Sequence, residues 1–288
     1  APDPNDPATS RCPPPPNRDY TAFLKTGALA GARIGIPRAF FYVRADVLGG
    51  SGAGLNAYQA AAMTEAINVL TARGAMVVDP ANIPSVVDPD PDNNFLFWGV
   101  CAGVPGGRAS DSGCTIAFKY GMKRDFNKWL ASLGPSAPVK TLTELREWNT
   151  AHTEAGAIKY GQSNLDISDE MDLDRDRARY EADRAKDIRL SATHGIDEVM
   201  RAERLDAILF PGPSGAALAA RAGYPTVIVP FALIPNAPAP PLPAAFDARP
   251  QPYGVSFTGT ACSEPKLLGL AYAFEQATRR RVPPPGAP

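Results

Sequence analysis

The sequence predicts an α/β protein, and three observations carry this prediction. A short apolar run that ends at a proline, an amphipathic stretch and a second apolar run follow one another at residues 32–37, 55–72 and 75–78. This order is typical of a strand–helix–strand unit with a parallel pair of strands. Hydrophobic residues make up 44% of the 288 residues and charged residues 20%, as in ordinary globular proteins. Proline is in excess, with 31 residues, which predicts many loops around the core.

Residues 1–18 precede the predicted domain, which spans residues 19–288. They are rich in Pro, Asp and Asn and include four consecutive prolines, so they are interpreted as a linker or wrapping arm. Within the domain, residues 32–37 form a strand because the apolar run is short and closed by proline. Residues 55–72 are predicted to form a helix, and Gly74 is predicted to end it. Its apolar side chains recur at helical spacing: Ala62, Met63, Ala66, Ile67 and Leu70.

Three helices are predicted in the middle of the chain. The first covers residues 115–133, before a Gly-Pro pair, and the second covers residues 143–153. The third covers residues 172–190, where aspartates and basic residues recur at a spacing of three. Because acids and bases interleave, this run is interpreted as a solvated helix face and not as a nucleic-acid surface.

The last third of the chain predicts strands and a closing helix. Residues 205–211 are a buried strand, residues 224–229 a second and residues 254–257 a third. A proline-rich excursion at residues 235–252 separates the last two. The final helix starts at Ser263, with an acidic residue and a proline in its first turn.

Composition excludes several classes of function. The formal net charge is −1, so nucleic acid is not an expected partner, because phosphate binding needs a cationic surface. No apolar run reaches the ~18 residues of a membrane span. The two histidines, His152 and His194, are too few for a multi-histidine metal site, and the four cysteines fit no zinc pattern. Neither a metal nor a cofactor is therefore predicted.

Cys101 and Cys114 flank a glycine-rich stretch at residues 102–113 that is able to bring them together. A disulfide between them is one interpretation, and it predicts an extracellular or periplasmic protein. The other interpretation is a pair of buried free thiols, with the protein in the cytoplasm.

The turn after the strand at residues 205–211 is a candidate site. It places Gly212, Pro213 and Ser214 at the carboxyl end of a strand, where α/β proteins bind ligands. These three residues are predicted to line a substrate pocket. A Ser214 nucleophile is the weaker alternative, because Gly215 comes one position too early for a nucleophile elbow. That alternative also needs a histidine base, and both histidines lie in polar helical stretches.

A second glycine-rich stretch, residues 49–54, precedes a predicted helix. Backbone N–H groups in such a loop can hold an anion. The stretch lacks the lysine of a phosphate-binding loop and does not match the dinucleotide-binding pattern. It is therefore interpreted as a flexible connection.

Several stretches of the chain, taken together, resemble the amidase signature family. They are LAGARIGIPRAFFY at residues 29–42, LDAILFPGPSGAALAARAGYPTVIVP at residues 205–230 and PYGVSFTGTACSEPKLLGLAYAFEQATRRRVPPP at residues 252–285. GAMVVDPANIP at residues 74–84 and AIKYGQSNLDIS at residues 157–168 resemble the family as well. The resemblance covers the C-terminal half of the family. It implies the C-terminal portion of a mixed-sheet core flanked by helices.

The family hydrolyses amides with a Ser-cisSer-Lys triad. Its lysine deprotonates the nucleophilic serine through the bridging serine, so no histidine is needed, and a glycine-rich turn stabilises the oxyanion. The lysine and the Gly/Ser-rich signature fall upstream of Ala1. The resemblance therefore implies no catalytic residue in this chain.

From this resemblance we expect part of an amide hydrolase that forms an acyl-enzyme and is inactive as this chain alone. Its expected partners are a small-molecule or peptide amide and the N-terminal amidase half, in the same or a separate chain. The alternative is a non-catalytic partner or scaffold module that binds a separate catalytic chain.

Overall fold

The computed structural model describes residues 3–47, 50–51, 53–102, 111–236, 240–246, 248–281 and 283. Its strands are β1 (Arg33–Gly35), β2 (Asp46–Val47), β3 (Gly50–Ser51), β4 (Met76–Val78), β5 (Gly99–Val100), β6 (Cys114–Thr115), β7 (Ala207–Pro211), β8 (Thr226–Ile234) and β9 (Gln251–Thr258). Its α-helices are α1 (Ala57–Ala72), α2 (Pro84–Val87), α3 (Ala117–Ser132), α4 (Leu142–Ala151), α5 (Ser163–Asp169), α6 (Arg177–Ile188), α7 (Asp197–Ala202), α8 (Ala216–Ala222) and α9 (Glu264–Thr278). A π-helical segment, Arg189–Ile196, follows α6.

The chain divides into two compact units. The first comprises Ala1–Asn94 and Arg189–Pro288, and the second comprises Phe95–Ile188. Within the residues that the structure describes, no helix is long and apolar enough to cross a membrane.

The first unit is built on a mixed sheet, which in its described part has five strands in the order β4-β1-β7-β9-β8. Strand β1 pairs in parallel with β4 and with β7. Strand β9 runs antiparallel to both of its neighbours, β7 and β8. The predicted α/β class and the parallel strand–helix–strand unit of β1, α1 and β4 are confirmed.

Helices cover the sheet by burying their apolar sides. Asn56 begins α1 with a capping box, in which its side chain and that of Gln59 each bond the other residue's backbone N–H. Helix α9 buries Phe274, whose ring centroid lies 5.8 Å from that of Phe257 in β9 and 5.3 Å from that of Phe231 in β8. Burial of such rings is the main favourable term for the fold.

The second unit has its own small core around a disulfide. Cys101 and Cys114 are bonded, and the cluster around them contains Ile116, Tyr120 and Met171. Two buried carboxylates of α6 fix the start of α3. The backbone N–H of Ile116 donates to Asp183, and the Thr115 hydroxyl donates to Asp187. Residues 103–110 of the predicted glycine-rich loop lie outside the described residues.

The charged run at residues 172–190 forms a helix later than its spacing predicts. The backbone N–H groups of Asp174 and Arg175 donate to the carboxylate of Asp172, so this aspartate closes a turn. Helix α6 begins at Arg177 and continues into the π-helical segment. The prediction of a helix start at Asp172 is wrong because the local side-chain bond competes with the helix.

The strand predicted at residues 224–229 is longer and less buried than expected. Strand β8 runs from Thr226 to Ile234 and alternates between buried and exposed side chains. Successive side chains of a strand point to opposite faces of the sheet, so this pattern shows that one face of β8 is covered more than the other.

The arm at residues 1–18 is joined to the first unit by a second disulfide, Cys12–Cys262. The sequence did not indicate this pair, because its cysteines are 250 residues apart. Most of the described arm is exposed, although Pro15 is buried, and it contains short 3-10 turns at Pro7–Ser10 and Pro16–Arg18. In the stretch at residues 49–54, Gly50–Ser51 pairs with Asp46–Val47, and residues 49 and 52 lie outside the described residues.

Candidate functional site

The turn that follows β7 is hydrogen-bonded to strand β9. Gly212 adopts a left-handed φ of 51°. Its N–H donates to the carbonyl of Gly254 at 2.9 Å, and its carbonyl accepts from the Ser256 hydroxyl at 2.6 Å. A Cβ at this position would lie 3.3 Å from the ring of Tyr253. Glycine therefore suits this turn in both conformation and space.

The other end of the turn, at Gly215, packs against the hydrophobic core. A Cβ on Gly215 would lie 2.5 Å from the ring of Phe210, which is fully buried. Between the two glycines, Pro213 and Ser214 are exposed. Of the predicted pocket residues, Pro213 and Ser214 thus form an exposed tip, whereas Gly212 is buried at its base.

Two neighbouring strand ends bring further polar groups to the same edge of the sheet. Arg38 follows β1 and Asp79 follows β4, and their side chains join at 2.7 Å between Nε and Oδ1. The Arg38 guanidinium lies 5.1 Å from the ring centroid of Tyr42. The Tyr42 hydroxyl donates to the carbonyl of Leu209 in β7 at 2.8 Å. The carboxyl ends of parallel strands meet at one edge of a sheet. Applied to the parallel strands β1 and β4, this rule predicts that Arg38 and Asp79 lie close together.

The pKa values of Arg38, Tyr42 and Tyr253 are raised in this region. The hydrogen bond with Asp79 raises the pKa of Arg38. Burial raises the pKa of Tyr42 well above its usual value and that of Tyr253 to about 12. Both phenols are therefore neutral over the physiological range. The Tyr253 hydroxyl is buried and has no hydrogen-bond partner among the described residues.

Neither histidine is available to Ser214 as a catalytic base in the part of the chain that the structure describes. The Nδ1 of His152 lies 2.7 Å from the carbonyl of Trp148, and its ring stacks on the indole. Both ring nitrogens of His194 contact carboxylates at 2.9 Å, those of Glu198 and Asp88. The described residues therefore form no Ser-His-Asp arrangement at this turn.

Known amidases match this chain in sequence and in fold. No family model matches the chain. A probable amidase from Arabidopsis thaliana is 28% identical over 270 residues, which are 93% of this chain and 42% of that protein. The peptide amidase from Stenotrophomonas maltophilia is 28% identical with a TM-score of 0.70, over 99% of this chain and 50% of that enzyme.

A third relative shows the fold alone. An amidase family protein from Bacillus anthracis matches with a TM-score of 0.67 at 21% identity, over 99% of this chain and 46% of that protein. The chain thus spans about half the length of the relatives that it matches. The predicted mixed sheet flanked by helices is confirmed, and so is the resemblance of this chain to the amidase signature family.

Proposed function

We propose that this chain is part of an amide hydrolase and that the turn at Gly212, Pro213 and Ser214 forms one wall of its substrate cleft. The observation that carries the proposal is the 28% identity to a peptide amidase over 99% of the chain. The turn lies at the carboxyl end of β7, the usual place for ligands in α/β sheets. The proposed substrate is a small-molecule or peptide amide.

In this proposal the chemistry belongs to the half of the enzyme that this chain does not cover. There a serine attacks the amide carbonyl, and its proton passes through a bridging serine to a lysine. The lysine returns this proton to the amide nitrogen as the amine leaves, and water then hydrolyses the acyl-enzyme. The present chain contributes shape and orientation. Pro213 offers an apolar ring and Ser214 a hydroxyl, both exposed, and β9 holds their turn in place.

The proposal is tested with purified chain 1–288 and a peptide that ends in a carboxamide. We expect no ammonia release and no covalent labelling by a fluorophosphonate, which reacts with activated serines. Addition of the complementary half, the catalytic part of the amidase that lies outside this chain, is expected to restore both. Turnover and serine labelling by the chain alone would contradict the proposal.

Substitution of Ser214 separates the pocket role from a nucleophilic role. In the reconstituted enzyme, Ser214→Ala is expected to keep fluorophosphonate labelling and to change KM more than kcat. A complete loss of labelling would identify Ser214 as the nucleophile instead.

A non-catalytic module is the second candidate function. The chain matches only about half of each amidase, so it lacks the part to which the first proposal assigns the catalytic chemistry. The same observation favours a module that has no activity of its own. A scaffold would bind a separate catalytic chain. Substitution of Pro213 or Ser214 would leave that binding unchanged. Copurification of a second polypeptide with the triad, whose rate does not depend on Pro213 or Ser214, would support the scaffold.

We also propose that the protein is exported to an extracellular or periplasmic environment. Two disulfides support this, because cytoplasmic conditions keep most thiols reduced. Peptide mapping without reductant, on protein from its native cells, is expected to recover both cross-linked pairs. Free alkylatable thiols at all four cysteines would favour the cytoplasmic alternative.

A further inference from the structure

A cavity of about 730 Å³ lies in the first unit, at the opposite end of β7 from the proposed substrate cleft. Asp206, which immediately precedes β7, is in its wall, whereas Gly212 follows the last residue of that strand. The five residues of β7 separate the two places by roughly 17 Å. The volume falls within the range of about 300–1,000 Å³ that is usual for small-molecule sites. The cavity is therefore a candidate site distinct from the turn at residues 212–214.

The floor of the cavity is apolar and belongs to the hydrophobic core. Met200, Leu205 and Leu270 line it with side chains that are buried in the fold. Phe23 and Ala28, which are half-buried, add apolar surface to the wall. An alkyl chain that covers this surface loses contact with water, which strengthens binding by up to about fourfold for each CH2 group. The floor thus suits a ligand with an apolar tail.

The charged groups at the rim differ in their availability to a ligand. The Nζ of Lys266 is paired with Oδ1 of Asp206, and Oδ2 of the same carboxylate accepts the N–H of Arg33 at 2.8 Å. These contacts satisfy Asp206 inside the protein. Lys25 is exposed, and its ammonium group has no hydrogen-bond or ion-pair partner among the residues that the structure describes. The rim therefore offers one available positive charge beside the apolar floor.

Covalent and hydrogen bonds fix the rim of the cavity in place. Cys262 lines the cavity and is bonded to Cys12 of the arm. Beside it, the Ser263 hydroxyl donates to the carbonyl of Thr260 at 2.7 Å. A rim that is held before a ligand arrives reduces the entropy that is lost on binding.

We propose that this cavity binds an amphiphilic carboxylate, with its alkyl chain on the apolar floor and its carboxylate beside Lys25. The charge of the rim selects this occupant, because a cationic head group on the same tail would be repelled by Lys25. The proposed site binds its ligand without catalysis. It goes beyond the proposed function and does not depend on it.

Two amphiphiles with the same tail and opposite charges test the site. Calorimetric titration of the chain is expected to show saturable binding of one decanoate, and binding of decyltrimethylammonium that is at least about tenfold weaker. Lys25→Gln is expected to weaken decanoate binding by about fivefold, which is the scale of an exposed ion pair. The matched control is Lys128→Gln, an exposed lysine in α3, with an expected change of less than about twofold.

A second pair of variants tests the cavity itself. Ala30 is exposed at the rim, so Ala30→Trp places an indole in the cavity and is expected to weaken decanoate binding by about tenfold or more. Ala131→Trp, at an exposed position of α3, is the matched control and is expected to bind decanoate as the natural chain does. Circular dichroism checks that all four variants keep the fold. Hydrogen exchange is expected to show that decanoate protects residues 23–32 and 260–270.

Several outcomes would overturn the inference. They are the absence of saturable binding, equal affinity for the two head groups, and equal losses in a variant and its control. Protection of residues 212–214 in place of the cavity residues would assign the amphiphile to the proposed cleft. The titration is repeated with the reconstituted enzyme. Decanoate that binds the chain alone but not that enzyme would also overturn the inference, because the complementary half would then occupy the cavity.

Discussion

At the scale of single residues, the turn after β7 depends on two glycines for different reasons. Gly212 needs its left-handed backbone, whereas Gly215 has an ordinary φ of −84° and needs the absence of a side chain. Phe210 occupies the space where the Gly215 side chain would point, and its ring packs edge-on against Phe41. The position of the exposed tip is therefore set by packing in the core.

We predict that Gly215→Ala destabilises the chain by about 2 kcal/mol, because the added Cβ overpacks a buried ring. The control is Gly27→Ala, where a Cβ would meet nothing within 4 Å. It is expected to change the free energy of unfolding by less than about 0.5 kcal/mol. Urea unfolding measures both variants, and equal effects of the two would contradict the packing argument.

Two tyrosine hydroxyls at the same edge predict opposite effects on stability. Tyr253→Phe removes a buried hydroxyl without a described partner, so we expect a gain of about 1 kcal/mol in the free energy of unfolding. Tyr42→Phe removes the donor to Leu209 and is expected to cost about 1 kcal/mol. Denaturant unfolding of the chain alone compares the two. A loss of stability in Tyr253→Phe would show that its hydroxyl is hydrogen-bonded in solution, for example to water.

Sequence could predict Gly212, Pro213 and Ser214 as a strand-end turn because the signal is local. It also predicted the parallel pair β1 and β4 that Arg38 and Asp79 follow, but not the place of these two residues beside the turn, which depends on β7 being a neighbour of β1. That strand order is a contact between distant parts of the chain. The sequence also could not predict that the Tyr253 hydroxyl is buried without a described hydrogen-bond partner. The alternation of side chains along β9 predicts which residues face the core, but not which atoms surround the hydroxyl.

At the scale of elements, the π-helical segment is joined to its neighbours through one histidine. His194 contacts Asp88, which follows α2, and Glu198, which is in α7. Partial burial alone would lower its pKa, but the hydrogen bonds to Glu198 and Asp88 raise the pKa of His194 overall. The protonated ring is thus favoured in the folded state.

This pairing predicts a pH dependence of stability with a defined sign. A raised folded pKa stabilises the protein below the unfolded value of about 6.5, and the stabilisation is lost as the pH rises through the folded pKa. We therefore expect His194→Gln to be less stable than the natural chain at pH 5.5 and to approach it at pH 8.5. The measurement is the free energy of unfolding at both pH values, and a deficit that grows with pH would contradict the assignment.

The long elements were predictable and their ends were not. Residues 55–72 gave α1 because its apolar spacing and its glycine stop agree. The start of α6 was predicted too early because the backbone N–H groups of two following residues donate to the carboxylate of Asp172 and form a turn. The spacing of the charged residues does not predict such a turn. The edge position of β8 was missed because an apolar run looks alike in a central and in an edge strand.

At the scale of the whole molecule, two disulfides constrain the chain over very different lengths. Cys12–Cys262 joins residues 250 apart, and Cys101–Cys114 joins residues 13 apart. A cross-link stabilises mainly by restricting the unfolded chain, and more so for a longer loop. The class of fold followed from the sequence, whereas the long-range bond and the division into two units did not.

We predict that removal of the long-range disulfide costs more stability than removal of the local one. Loop entropy gives about 5.5 kcal/mol for Cys12→Ser/Cys262→Ser and about 3 kcal/mol for Cys101→Ser/Cys114→Ser. Calorimetry of the two double variants measures the difference. A larger loss for the local pair would mean that the core around Cys101 matters more than chain entropy.

The Cys12–Cys262 bond also makes a covalent ring of the chain, and every strand of the main sheet lies inside that ring. A protease that cuts once within the exposed residues 240–246 would therefore open the ring without releasing a fragment. The nicked protein would migrate as one species without reductant and as two with it. Damage of that kind would leave the sheet strands tethered and able to reassociate.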